Sequence, residues 1–178
     1  MKKLKVLVVG LGDSSITFLD RLIQGLASEG MQITLAVPQK RTVDRFQSKN
    51  VNWLWAPNWS VPFFKRALNL IRLWINSIPS KRKRWLKTAA AGKAGHKLRV
   101  IETYRLLPFS RGAWDAIYFP WNASAIGYDA LYKLGIPVVV SCRGSQINIR
   151  THSSGYEKYM EELELSLKGA SKVHCVSQ

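Results

Sequence analysis

Short apolar runs that alternate with amphipathic helical patterns constrain the fold of this chain more than any other feature of its sequence. The first run, LKVLVVG at 4–10, is rich in valine and closes on a glycine. Such a run is typical of a strand buried on both faces of a parallel sheet. Apolar residues recur at helical spacing through 16–27, with Ser14 or Ser15 as the N-cap, and MQITLAVP is the next run. The sequence therefore predicts a strand–helix–strand unit with tight connections.

The same alternation continues to the end of the chain. RTVDRFQSKN predicts a short helix, VNWLWAP a strand, WDAIYFPW a strand, ASAIGYDALYKLG a helix, IPVVVSC a strand, GYEKYMEELELSLKGA a helix and KVHCVS a strand. We expect one α/β domain over 1–178, a doubly wound and mainly parallel Rossmann-like sheet of about six strands. A basic helical insert at about 60–112 interrupts this domain.

The insert begins with a strongly amphipathic helix, FFKRALNLIRLWINSI at 63–78. One stripe of this helix is apolar and comprises Phe64, Ala67, Leu68, Ile71, Trp74, Ile75 and Ile78. The opposite stripe is polar and comprises Lys65, Asn69, Arg72 and Asn76. An apolar stripe of this kind suits packing against the sheet, which is the usual meaning of such a helix.

Charge is concentrated in the same part of the chain. The net charge is +16, and residues 38–112 hold 17 of the 27 Lys and Arg residues but only two acids, Asp44 and Glu102. A block whose positive charge is balanced by so few acidic residues points to a polyanionic partner. No apolar run approaches the roughly 20 residues that span a bilayer, and no signal peptide is recognisable, which indicates a cytoplasmic protein. Two cysteines and three scattered histidines make neither a disulfide framework nor a metal site.

Three polar loops follow predicted strands of the sheet. They are GLGDSS at 10–15, PWNAS at 120–124 and CRGSQIN at 142–148. In a doubly wound sheet, ligands bind in the crevice at the carboxyl ends of the strands. We therefore expect these loops to emerge along one edge of one sheet and to form a site there.

The first loop partly matches a dinucleotide-binding fingerprint. Gly10 and Gly12 stand where the first two glycines of that motif belong, but Ser15 occupies the third position. The acidic residue expected after the second strand is missing, and Lys40 and Arg41 are there instead. These two cations suit a 2′-phosphate, so an NADP-binding Rossmann enzyme fragment is an alternative interpretation. Backbone N–H groups at the start of the helix suit an anion or a sugar hydroxyl.

The third loop carries the most specific chemistry. Arg143 follows a fully apolar strand and offers a planar fork of donors suited to carboxylate, phosphate or vicinal hydroxyls. Gly144 lets a backbone approach closely. A surface cation, or a partner of a nearby acid, is the competing interpretation of Arg143.

These segments together resemble a known family. GIPVVVSCRGSQINI, preceded by WDAIYFPWNASAIGYDALYKLG and followed by a helix and ASKVHCVSQ, is similar to the N-terminal half of GT-B-fold glycosyltransferases, in particular glycosyltransferase family four. The resemblance covers 1–37 and 114–178 and is poor over 38–113. It implies transfer of a sugar from a nucleotide-sugar to an acceptor held by this domain. The resemblance implies that the nucleotide-sugar belongs to a C-terminal domain with a Glu-x₇-Glu-like motif, which lies outside this sequence. We therefore expect an acceptor-side half that holds no cofactor itself, either a fragment or one part of a split pair.

The resemblance also assigns roles to residues. Arg143 takes the place of the residue, often histidine, beside the reacting sugar, and is the predicted catalytic residue. Arginine is no base at neutral pH, so its role is to stabilise charge on a departing diphosphate or to bind the acceptor. Many relatives have Asp where Gln146 stands. The predicted acceptor- or diphosphate-binding residues are Gly12, Asp13, Ser14, Ser15, Trp121, Asn122, Gly144, Ser145 and Gln146.

Three interpretations compete for the basic insert: a solvated face, a nucleic-acid-binding surface and a surface that docks on an anionic membrane. Five of the eight residues in SKRKRWLK at 80–87 are cationic. We favour the membrane over nucleic acid, because the resembled family glycosylates lipid-linked acceptors. The enzyme is then peripheral at the inner membrane face, where a polyprenyl-linked glycan acceptor is presented. The predicted membrane-binding residues are Lys65, Arg66, Arg72, Lys81, Arg82, Lys83, Arg84, Trp85 and Lys87.

Overall fold

The computed structural model describes residues 3–11, 17–46, 48–57, 61–76, 105–143 and 155–175. Within them, six strands form one sheet in which all neighbours are parallel. The strands are β1 (Lys5–Val9), β2 (Gln32–Val37), β3 (Val51–Trp55), β4 (Ala116–Phe119), β5 (Val138–Cys142) and β6 (Lys172–Cys175). This confirms the predicted parallel, Rossmann-like α/β sheet.

Helices connect the strands and cover both faces of the sheet. They are α1 (Thr17–Ser28), α2 (Arg41–Asp44), α3 (Phe63–Asn76), a 3₁₀ helix (Leu107–Arg111), α4 (Asn122–Ala125), α5 (Asp129–Tyr132) and α6 (Glu157–Gly169). Each connection of this kind returns the chain to the same edge of the sheet, which is what makes the strands parallel.

Alternate residues of β1 enter two separate cores, as the unbroken apolar run predicts. Val6 and Val8 lie in the core that α1 covers with Leu19 and Ile23. Leu7 and Val9 lie in the core on the other face, with residues of the 3₁₀ helix, α4 and α5. The sheet is therefore the middle layer of three.

The strand order β3-β2-β1-β4-β5-β6 reverses direction between β1 and β4. The chain builds outward from β1 to β3, then crosses to β4, which pairs with β1 on its other side through Val8 and Tyr118. The crevice outside the carboxyl ends of the strands at such a reversal is where doubly wound folds bind ligands. Here it lies between Gly10 and Pro120.

The single helix predicted over 123–135 is wrong. Two short helices, α4 and α5, replace it, because Ile126 adopts an extended conformation with φ −62° and ψ 131°. Gly127 follows with φ +81°, and a Cβ there would meet Arg105 Nη1 at 2.7 Å. The spacing of apolar residues predicts which positions are buried, but it does not predict the change of backbone conformation at Ile126 and Gly127.

The predicted insert is described only in part. Its first helix is α3, which ends at Asn76, and residues 77–104 lie outside the described residues. No helix within the described ranges is long and apolar enough to cross a bilayer.

Candidate functional site

The described parts of the three predicted loops lie along one edge of the sheet. β1, β4 and β5 are adjacent and parallel, with Val8 beside Tyr118 and Phe119 beside Val140. Their carboxyl ends therefore place Leu11, the segment 120–124 and Arg143 on a shared rim. This arrangement agrees with the geometry expected from the sequence.

A contact between Gly10 and Ser124 holds two of these loops together. Gly10 has φ +83°, a conformation that side chains other than glycine rarely adopt, and a Cβ there would overlap Cβ of Ser124. The Ser124 hydroxyl donates a hydrogen bond to the carbonyl of Trp121 at 2.6 Å, so its position is fixed. Only glycine at position 10 allows the loops after β1 and β4 to meet in this way.

Gly10→Ala is therefore expected to destabilise the protein strongly. The positive φ costs a residue with a Cβ about 1–2 kcal/mol, and the overlap with Ser124 adds about 1–3 kcal/mol. Gly30→Ala is the matched control, since Gly30 has φ +84° but no atom lies within 4 Å of the place that its Cβ would take. Urea unfolding should show a larger loss of stability for Gly10→Ala, and equal losses would contradict the contact.

Arg143 lies in an aromatic cluster at the centre of the rim. Its Cζ is 3.9 Å from the centroid of the Phe18 ring and 6.0 Å from that of Trp121. The Phe18 and Trp121 rings meet edge to face, with centroids 6.0 Å apart and an interplanar angle of 79°. The first turn of α1, the loop after β4 and the end of β5 thus converge on one guanidinium group.

The donors of Arg143 are not fully used within the described residues. Its Nε is buried and has no hydrogen-bond partner there. A buried donor without a partner is costly, which makes such groups rare in folded proteins. Among the described residues, the contacts of the Arg143 side chain are therefore with aromatic rings.

Asn122 contributes a second unpaired polar group. It begins α4 directly after Trp121 and is 0% exposed. Neither its Oδ1 nor its Nδ2 has a hydrogen-bond partner in the described part of the chain. Because the side chain is fully buried, its amide is not exposed to an external ligand in this structure, and a binding role for Asn122 stays a prediction.

A row of hydrogen-bonded side chains crosses β4, β5 and β6. The Tyr118 hydroxyl lies 2.9 Å from Ser141 Oγ, which lies 3.1 Å from His174 Nδ1. Ser141 is fully buried, so its hydroxyl is not accessible to an external substrate. We infer that these hydrogen bonds stabilise the packing of β4, β5 and β6 against one another.

The two cysteines are neighbours in the sheet. Cys142 on β5 lies opposite Cys175 on β6, and both thiols are free. Burial, with a smaller contribution from Cys175, raises the pKa of Cys142 from 9.0 to about 11. Cys142 is consequently protonated at neutral pH and is a poor nucleophile.

This pKa predicts a loss of stability at alkaline pH. The folded protein keeps a proton on Cys142 that the unfolded chain releases, so this contribution is full below pH 9.0 and is lost as pH rises toward about 11. Urea unfolding measured between about pH 8 and about pH 10 should show a steeper decline for the wild type than for Cys142→Ala. Equal slopes would contradict the assignment.

The remaining predicted site residues lie outside the described residues. In the first and third loops these are Gly12, Asp13, Ser14, Ser15, Gly144, Ser145 and Gln146. In the basic insert they are Lys81, Arg82, Lys83, Arg84, Trp85 and Lys87. Phe18, by contrast, was not predicted. Its only signal was an aromatic residue in the first turn of a helix, off the buried stripe.

The apolar stripe of α3 is largely exposed, which does not fit the interpretation that this stripe packs on the sheet. Phe64, Leu68, Ile71 and Ile75 form one stripe, which we call the apolar face of α3, and Phe64 is 80% and Ile75 74% exposed. The buried residue is Leu73, on the opposite side of the helix, where α3 contacts the 3₁₀ helix. No element in the described part of the chain covers the apolar face of α3.

Cationic side chains on α3 differ in their surroundings. Lys65 is exposed, and the exposed Arg72 places its Cζ 4.6 Å from the centroid of the Trp55 ring. Arg66 is half-buried and donates from Nε to the carbonyl of Val61 at 2.6 Å. Lys65 and Arg72 are therefore available to an anionic surface, whereas Arg66 is engaged within the protein.

The strand order and the crevice at its reversal define a Rossmann-like α/β domain. Comparison of the chain with protein-family models, curated proteins and solved structures finds no match. Within the described residues, no group of three His, Cys, Asp or Glu side chains is placed to hold a metal ion.

Proposed function

We propose that this chain is the acceptor-side half of a glycosyltransferase that moves a sugar from a nucleotide-sugar to a lipid-linked glycan at a membrane surface. The observation that carries the proposal is the cluster of Arg143, Phe18 and Trp121 at the reversal of the strand order. The sequence resemblance independently selects Arg143 as the residue beside the reacting sugar.

Each residue of the cluster has a role in this proposal. Arg143 is permanently charged and stabilises negative charge that develops on the departing diphosphate or on a charged acceptor. Trp121 offers a flat apolar surface to a sugar ring. The nucleotide-sugar belongs to a C-terminal donor-binding domain.

The surface of α3 supports action at a membrane. The apolar face of α3 suits insertion at the boundary between headgroups and acyl chains. Lys65 and Arg72 are exposed on the same helix, and each cation near an anionic leaflet contributes about 1 kcal/mol to binding. Nucleic acid explains the cations but not the exposed aliphatic side chains.

The position of α3 brings this surface to the edge that carries the site. α3 begins at Phe63, a short distance along the chain from the carboxyl end of β3 at Trp55. Because all strands of the sheet are parallel, that end lies on the same edge as Arg143. In this proposal, docking through the start of α3 turns the edge that carries the site toward the membrane, where a polyprenyl-linked acceptor resides.

The test is a transfer assay on the chain joined to a donor-binding α/β domain that carries a Glu-x₇-Glu-like motif. The domain is taken from the same gene or, if the enzyme is a split pair, from a separate one. The joined protein should release a nucleoside diphosphate from a nucleotide-sugar when polyprenyl-linked glycan acceptors are supplied. Failure to turn over any nucleotide-sugar would contradict the proposal, as would protection of the chain by NADP or steeply salt-dependent binding to oligonucleotides.

A further inference from the structure

We infer that Phe18 is a positioning residue that holds Arg143 as a receptor for an oxyanion, with the edge of the guanidinium turned to the ligand. The inference deepens the proposed function and rests on it for the source of the ligand. The oxyanion itself follows from the geometry of the described residues.

Arg143 lies within stacking distance of the Phe18 ring. A separation of 3.9 Å between Cζ and the ring centroid fits a guanidinium whose flat face lies on the ring. Guanidinium groups stack on aromatic faces in this way, and their N–H bonds lie in the guanidinium plane. Stacking therefore occupies one face of Arg143 and leaves the hydrogen-bond donors that lie in the guanidinium plane unobstructed by the Phe18 ring.

Trp121 restricts the group further. The centroid of its ring is 6.0 Å from Arg143 Cζ, and the plane of this ring is nearly perpendicular to that of Phe18. The two rings thus form a corner that limits rotation of the guanidinium. Nε of Arg143 is buried and has no partner among the described residues, so the inference assigns the ligand to the two terminal Nη groups of the fork.

Phe18 is not required by the core. The buried residues of α1 are Leu19, Ile23 and Ala27, and Phe18 lies off that stripe with 38% of its surface exposed. A large exposed aromatic side chain at the mouth of a crevice is better explained by its contact with Arg143 than by packing. This contact joins the start of α1 to the end of β5.

An oxyanion with two oxygens matches the donors that remain. A guanidinium edge binds carboxylate or phosphate through two parallel hydrogen bonds. Within the proposed function, such a group is either the phosphate of a diphosphate-linked substrate or the carboxylate of an acidic sugar. Both sources share the chemistry, and the experiment separates them.

The experiment titrates the 178-residue chain with inorganic pyrophosphate and, separately, with glucuronate at constant ionic strength. Calorimetry gives the affinity, and the NMR signal of the Arg143 Nε–H reports the site directly. In the free protein, the Phe18 ring should displace this signal through its ring current. The oxyanion that is the ligand should then shift it.

Variants test the role of Phe18. Arg143→Lys keeps the charge but loses the fork, and should weaken binding by at least about tenfold. Phe18→Leu should weaken it by about threefold to tenfold, and Phe18→Tyr should restore it. Arg105→Lys is the matched control, since Arg105 lies over Tyr128 at 5.9 Å on the other face of the sheet.

The outcomes separate failure of the oxyanion receptor from failure of the proposed function. If neither anion binds, or if the Arg143 signal does not respond, the oxyanion receptor is wrong, while the transfer assay still decides the proposed function. If Arg143→Lys weakens binding but Phe18→Leu does not, the positioning role of Phe18 is wrong. If Phe18→Leu fails to fold, the ring-current displacement in the wild type still decides whether the stacking exists.

Discussion

If the proposed transfer activity is correct, replacing Arg143 with alanine is expected to lower the turnover of the joined protein by about a hundredfold to a thousandfold. Removal of a preorganised charge that stabilises the transition state has effects of this size. The KM for the acceptor should change less than kcat if the charge acts mainly on the departing diphosphate. The measurement is the initial rate of nucleoside diphosphate release at saturating acceptor.

Two further variants make this result specific. Arg143→Lys should retain part of the activity because it keeps the charge, although it loses the planar fork. Arg21→Ala removes an exposed cation from α1 and should leave the rate unchanged. A rate for Arg143→Ala within about threefold of the wild type, in a protein that remains folded, would remove Arg143 from the mechanism.

Loss of the apolar face of α3 is expected to abolish most binding to anionic vesicles. The double variant Phe64→Ser and Leu68→Ser removes two exposed side chains, each worth about 1.5–3 kcal/mol when fully buried. Because about 1.4 kcal/mol corresponds to a factor of ten, affinity should fall by at least about tenfold. Cosedimentation with vesicles that contain anionic lipid measures this change.

The control for the apolar face is Leu165→Ser, which removes a 65% exposed leucine from α6. It should bind vesicles as the wild type does. The cationic stretch at 80–87 provides a separate test, in which Lys81, Arg82, Lys83 and Arg84 are replaced by Gln. That variant should bind anionic vesicles more weakly but turn over a short soluble acceptor normally. Equal weak binding of the wild type to neutral and anionic vesicles would contradict membrane docking.

The strands could be predicted because each is a short apolar run between turn residues. β1 is the clearest case, since Val6 and Val8 enter one core while Leu7 and Val9 enter the other. A run without alternation has no polar face to give to solvent, so it requires a layer on each side. This local requirement was enough to predict a parallel sheet between helices.

The break between α4 and α5 could not be predicted from the same pattern. The spacing of apolar residues over 123–135 fits one continuous helix, but Ile126 is extended and Gly127 has a positive φ. Apolar spacing reports which positions are buried. It does not report where a glycine reverses the backbone.

For α3, the sequence pattern predicted the helix but not which of its sides is buried. The amphipathic pattern correctly predicts a helix, and it separates an apolar from a polar side. It does not say which side the protein covers, and α3 turns Leu73 inward while Phe64 and Ile75 remain exposed. Periodicity describes the contrast between faces, whereas burial depends on the elements packed beside the helix.

The sequence by itself determined that strands and helices alternate, that the strands are parallel, and that polar loops follow their carboxyl ends. Only the tertiary structure decided that β4 pairs with β1, which brings those loops together, and that Phe18 lies on Arg143. The physical reason is the range of the interactions. Hydrophobic periodicity and turn chemistry act between near neighbours in the chain, while the stacking of Arg143 on Phe18 joins residues from opposite ends of the sequence that meet only when the sheet is complete.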